Sequence, residues 1–167
     1  MSPLVLTLKF TVKLGAYNPS TKEFIVHTNK DNWANDLYLS RFASNGAFIS
    51  VQEFDNYLQC IFFDPKRQKM IGIVKDLWRD DPEWLSTIDA VKGEYLVIKA
   101  TTFAGYSYVK SATFSPVTRL MTLYVSVYGT GYQLQTINVD TGESNVLFTL
   151  SEAEGDLYDS FGIVQSN

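Results

Sequence analysis

The stretch ATFSPVTRLMTLYVSVYGTGYQLQTINVDTGESNVLFTL, residues 112–150, decides how this chain is read. An apolar run ends at Phe114-Ser115-Pro116, and strand-like segments follow at Met121 to Tyr128, Tyr132 to Asn138 and Asn145 to Leu150. They are separated by Gly129-Thr130-Gly131 and Asp140-Thr141-Gly142-Glu143. Gln133-Leu134-Gln135-Thr136-Ile137 alternates with the period of two expected of a strand with one buried face, and the separators are turn residues that tolerate positive φ or lack an amide donor. The stretch therefore predicts four short antiparallel strands joined by hairpins.

The same ending, an aromatic residue, a small polar residue and proline, occurs at Tyr17-Asn18-Pro19 and Phe63-Asp64-Pro65. This makes the chain a repeat protein with a period of roughly fifty residues. In the first repeat Ala16 to Pro19 leads to Phe24 to Thr28, Leu37 to Phe42, the turn Ser44-Asn45-Gly46 and Ala47 to Gln52. In the second, Cys60 to Pro65 leads to Met70 to Lys75, Trp84 to Asp89, the turn Lys92-Gly93-Glu94 and Tyr95 to Thr101. Units of approximately 9–53, 54–104 and 105–155 result, in one domain. Leu157 to Val164, within 156–167, reads as the first strand of a fourth unit left incomplete.

One segment conflicts with this pattern. Asp81-Pro82-Glu83-Trp84-Leu85, with Ile88, Val91 and Gly93, carries an N-cap, a first-turn proline, helical spacing and a stop. The equivalent places in the other units read as strands, and consistency across the repeats predicts a strand here too.

The aromatic-x-Pro ending, the following strand, Leu/Ile-x-x-Ile-Asp/Asn, Thr-Gly-Glu and the last apolar strand resemble the blades of the β-propeller superfamily. Phe114 to Leu150 carries the pattern most completely. The resemblance implies an all-β fold of three four-stranded antiparallel repeats, a half-propeller that closes its ring as a dimer of twice 18.9 kDa. The alternative is a β-trefoil, which three such units close without a partner. Thirteen apolar positions are expected in the core: Phe24, Val26, Phe62, Ile71, Ile73, Leu85, Val97, Phe114, Leu123, Val125, Leu134, Ile137 and Phe148.

Composition narrows the function. The 167 residues, 46% hydrophobic and 14% aromatic, can bury a core, and a net charge of -4 with no basic cluster longer than Lys66-Arg67 excludes nucleic acid and anionic membranes as natural partners. No apolar stretch approaches membrane-spanning length, the start lacks a signal-peptide pattern, and Asn18-Pro19-Ser20 is blocked as a glycosylation sequon, so a cytoplasmic location is favoured. Cys60, the single cysteine, lies in an apolar run and reads as a buried hydrophobe. His27, the single histidine, excludes multi-histidine zinc sites, and no nucleophile elbow, phosphate-cradling loop or calcium loop is present. No cofactor, metal or catalytic residue is expected.

In antiparallel blades the loops between second and third strands share one side with the connections between blades. On that side fall Trp33, Trp78 and Trp84, with Tyr128 and Tyr132 at the matching place in the third unit, and Asp36, Asp80 and Glu83 among the carboxylates. Flat apolar rings beside carboxylate acceptors suit a carbohydrate or protein ligand. The expectation is a non-enzymatic binding module using Trp33, Trp78, Trp84, Tyr128, Tyr132, Asp36 and Asp80. The alternative is a metal-assisted hydrolase of propeller type, with Asp55-Asn56 and Asp159-Ser160 at first-strand starts lining a channel.

Overall fold

The turn after each proline motif is built the same way three times. In the computed structural model, which describes residues 11–29, 37–76, 83–101 and 107–151, Asn18 Oδ1 accepts the amides of Ser20 (3.0 Å) and Thr21 (3.4 Å). Likewise Asp64 Oδ1 accepts that of Lys66 (3.0 Å), and Ser115 Oγ that of Thr118 (3.3 Å). Such side-chain caps satisfy amides that the strand ladder leaves unpaired. Three residues beyond each proline the backbone turns left-handed, at Lys22 (φ 57°), Gln68 (φ 54°) and Arg119 (φ 63°).

These turns start three sheets. The first contains β1 (Thr11–Asn18), β2 (Glu23–Asn29), β3 (Leu37–Ala43) and β4 (Phe48–Glu53). The second contains β5 (Asn56–Asp64), β6 (Lys69–Asp76), β7 (Trp84–Asp89) and β8 (Glu94–Ala100). The third contains β9 (Ser107–Ser115), β10 (Leu120–Val127), β11 (Gly131–Asn138) and β12 (Ser144–Leu150). Strands pair antiparallel in sequence order within each sheet, and β5 packs beside both β1 and β9. The chain is thus all-β, with three propeller-type blades whose first strands line a common axis. A trefoil would pair strands of different units into a shared barrel; here, among the described residues, the ladders stay within each unit.

The helix-like segment is a strand. β7 pairs with β6 from Val74↔Trp84 to Met70↔Ile88 and with β8 on its other side. Two ladders outweigh the local helical spacing.

Blade 2 is covered on both faces. Met70, Val74 and Ile88 face blade 1 and pack with Ile25, Leu39, Phe54, Leu58 and Ile61. Cys60, Ile71, Ile73 and Leu85 face blade 3 and pack with Met121, Leu123, Val125 and Ile137. Burial pushes the Cys60 thiol up to about 12, so it is inert as a nucleophile. Of the expected core, Ile71, Ile73, Leu85, Leu123, Val125 and Ile137 are buried, and Val26, Phe62, Phe114 and Leu134 half-buried. Phe24, Val97 and Phe148 are exposed, a correction to the sequence reading. Val97 and Phe148 sit on outermost strands, and Phe24 faces away from blade 2.

An ion network seals the turn end of the junction between blades 2 and 3. Arg119 donates to both oxygens of Asp64 (2.6 Å each) and to Asp140 (3.0 and 3.1 Å), while Arg67 reaches Asp64 (2.7 Å), Asp140 (2.9 Å) and the Val139 carbonyl (2.9 Å). Burial alone would raise the Asp64 carboxyl, but hydrogen bonds from Arg119 and Arg67 outweigh it and hold the group down at about 2. At the junction of blades 1 and 2 the corresponding residues are Asn18, Thr21, Gln68 and Val91. A cleft of about 400 Å³ opens there, bordered by the Glu23–Arg41 ion pair (2.8 Å).

Candidate binding face

The antiparallel order puts the turns between first and second and between third and fourth strands at one end of the blades, and the remaining loops at the other. In blade 3 the loop between β10 and β11 is only Tyr128-Gly129-Thr130. Its turn closes when the Thr130 amide donates to the Val127 carbonyl (3.0 Å), with Gly129 and Gly131 both at positive φ. This tight hairpin leaves no volume beneath itself for a large ring. Tyr128 is accordingly turned outward and 84% exposed.

The neighbouring aromatics are committed to packing. Tyr132 is buried and stacks on Tyr124 with centroids 5.5 Å apart and planes 17° apart. Trp84 is half-buried, and its ring lies nearly parallel to that of Tyr95 at 6.5 Å. Trp33, Trp78, Asp36 and Asp80 lie outside the described residues, as do Asp159-Ser160 and the strand-like Leu157 to Val164.

Glu83, placed by sequence among the rim carboxylates, is instead buried. Its Oε1 accepts from the Ser107 hydroxyl and lies 3.7 Å from Lys75 Nζ, and its backbone carbonyl accepts the Thr101 amide (2.7 Å). Lys75 also donates to the Ser107 carbonyl (3.2 Å) and sits 5.1 Å over the Tyr108 ring, while Gln59 Oε1 takes the Val109 amide (2.5 Å). Burial raises the Glu83 carboxyl above its ordinary range despite hydrogen bonds from Ser107 and Gln59 and the nearby Lys75 charge. The cluster fastens the entry of blade 3 to blade 2. Ser107 is wholly buried. Nothing in the sequence foretold this cluster, because Gln59, Lys75 and Ser107 are ordinary polar strand residues until the blades meet.

Along the first strands runs a groove of about 350 Å³, lined by Gly15, Tyr57, Gln59, Phe62, Lys110 and Ser111 among others. Among the described residues no group of three His, Cys, Asp or Glu side chains is placed to hold a metal ion.

No protein-family model matches the sequence, and no curated protein matches it either. Solved structures do match by fold. A chain of the nidogen/laminin complex superposes with a TM-score of 0.58 at 10% identity, over 84% of this chain and 49% of that one. TolB from Acinetobacter baumannii superposes with a TM-score of 0.56 at 13% identity, over 84% of this chain and 33% of that one. Both are propeller-type structures, and the likeness establishes the blade repeat. The chain spans about half or less of each.

Proposed function

We propose that the chain is a non-enzymatic binding module that holds a carbohydrate or protein ligand on its loop face and completes its ring with a second copy of itself. The observation that carries the reading is Tyr128: a ring 84% exposed on a tight three-residue hairpin loop, while Tyr132 and Trp84 nearby are spent on packing. A planar tyrosine ring, with few rotatable bonds, adds contact area at little entropic cost. Trp33 and Trp78, with Asp36 and Asp80, are assigned to the same proposed face from their places in the repeat, whereas Trp84 is left out because its ring packs on Tyr95. The nidogen/laminin complex, in which a fold neighbour is joined to another protein, supports the protein-ligand side of the reading.

A glycan array probed with labelled protein, together with a thermal-shift screen of the same sugars, tests it. Ligands that bind only the folded state raise the melting temperature with concentration. Tyr128→Ala is expected to abolish the array signal while changing unliganded stability by less than about 0.5 kcal/mol, the ordinary range for a surface substitution. Array binding that survives Tyr128→Ala undiminished would remove Tyr128 from the site.

A further inference from the structure

The cleft between blades 1 and 2 exists because the residues that seal the other junction are replaced there. Counted from the proline of each turn, Asn18 stands for Asp64, Thr21 for Arg67 and Gln68 for Arg119, while Val91 precedes Gly93 as Asp140 precedes Gly142. Arginines and aspartates close one junction; two amides, a hydroxyl and a valine leave about 400 Å³ at the other, a volume within the range of small-molecule sites. Gln68 does not fill it. Its Oε1 accepts the Ser20 hydroxyl and its Nε2 donates to the Pro65 carbonyl (2.6 Å), so the side chain is spent on the turns of both blades. Buried Ile25, Met70 and Ile88 contribute an apolar wall and belong to the packed interface of the two blades, so the cleft is preformed.

The polar part of the wall selects the chemistry. Arg41 donates through Nε and Nη2 to the two oxygens of Glu23 (3.0 and 2.8 Å) and through Nη1 to Ser50 (3.4 Å). A guanidinium has five N–H groups and each carboxylate oxygen two lone pairs, so this pair keeps spare donors and acceptors side by side. A hydroxyl group uses both at once, accepting from Arg41 and donating to Glu23. An anion brought to Arg41 meets Glu23, and a cation brought to Glu23 meets Arg41, so an ion of either sign meets a like charge. The turn caps extend the same offer. Asn18 spends Oδ1 on the amides of Ser20 and Thr21 and keeps its Nδ2 donors; Asp89 spends Oδ1 on the amides of Val91 (2.9 Å) and Lys92 (3.2 Å) and keeps Oδ2.

We infer that this cleft is a second ligand site, at the end of the blades opposite Tyr128, and that its ligand is a neutral polyhydroxy ring, a monosaccharide. Adjacent hydroxyls answer the adjacent donors and acceptors, and the C–H faces of such a ring suit the apolar wall, with Val91 and Leu96 (64% and 70% exposed) at its rim. The site is independent of the loop face. A single ring in a half-open cleft binds too weakly to survive the washing of an array, so solution titration reads it separately.

Titrating isotope-labelled protein with D-glucose, D-galactose and D-mannose tests the site by heteronuclear NMR. At least one sugar is expected to move the Arg41 side-chain Nε–H and the Thr21 and Val91 amides saturably while leaving the Tyr128 and Gly129 amides in place. Methylguanidinium and citrate, a cation and an anion, are expected to move none of these. Asn18→Asp/Thr21→Arg/Gln68→Arg/Val91→Asp installs the network of the other junction and is expected to lose the response, whereas Tyr128→Ala keeps it. Val91→Trp, a change at an exposed rim position that leaves the core untouched, is expected to weaken the response whether or not the fourfold variant folds. Silence with all three sugars, a response to methylguanidinium or citrate in their place, or a response undiminished by Val91→Trp would overturn the inference and leave the Tyr128 face standing. Loss of the response in Tyr128→Ala would overturn it in favour of the loop face.

Discussion

Asp64→Ala is expected to destabilise the fold by about 3 to 5 kcal/mol, the range found when one member of a buried ion pair is deleted and its partners stay behind. Asp64 is wholly buried, and it accepts both Arg119 guanidinium nitrogens in a fork (2.6 Å each) together with Arg67. Removing it leaves two guanidinium groups, only 13% and 24% exposed, with Asp140 as the one carboxylate they still share among the described residues. The network also sets an acid limit. The folded-state value of Asp64 is about 2, below the ordinary aspartate range, so its stabilisation is fully present above about pH 4, the unfolded value, and is lost as pH falls towards 2. Asp140, likewise held low by hydrogen bonds from Arg119 and Lys66, acts in the same direction. Urea titrations from pH 2 to pH 7 should therefore show a steep loss in the parent that Asp64→Asn flattens. Equal pH dependence in the two proteins would contradict the assignment.

Gly72→Ala is the second large expected loss, about 3 kcal/mol. A Cβ at Gly72 would lie 2.2 Å from the Cys60 carbonyl oxygen and about as close as contact permits, 3.0 Å and 3.1 Å, to Ile88 and Leu58 side chains. The first of these is backbone in the β5–β6 ladder and can yield only if the strands part. Overpacking of this kind costs about 1 to 3 kcal/mol and more where backbone must move. Chemical denaturation monitored at the tryptophans measures it. A loss below about 1 kcal/mol would mean that β5, β6 and β7 pack more loosely within blade 2 than described.

The strands were readable because proline and glycine mark their ends and alternation marks their faces. Residues 112–150 and their two relatives gave four strands per unit, and the structure has them. What alternation cannot say is whether another sheet lies beyond a face. Phe24 obeys the same pattern as Met70 and Met121, yet it is exposed because no described blade precedes it. Val97 and Phe148 obey it on outermost strands, where one side has no neighbour. The apparent helix at Asp81 to Val91 failed for a related reason: its spacing is local, whereas the β6 and β8 ladders that decide the matter are not.

The candidate face was less legible. Tyr132 and Trp84 look like Tyr128 in sequence, and only their stacking on Tyr124 and Tyr95 separates packing residues from a presented one. Glu83 looks like a rim acid, and it is buried because Ser107, 24 residues later, returns to bond it. Arg119 and Asp64, 55 residues apart, carry no mutual signal in the sequence; the repeat shows only that Asp64 stands one residue before the proline of its motif and Arg119 three residues after the proline of the next.

The central claim is that three blades form half of a ring that a second copy completes, and small-angle X-ray scattering of the purified protein tests it most directly. A closed six-blade particle of twice 18.9 kDa should show a radius of gyration of about 20 Å, the value for a compact body of that size. A mass of 18.9 kDa with a radius of about 15 Å, unchanged across the concentration range, would contradict it.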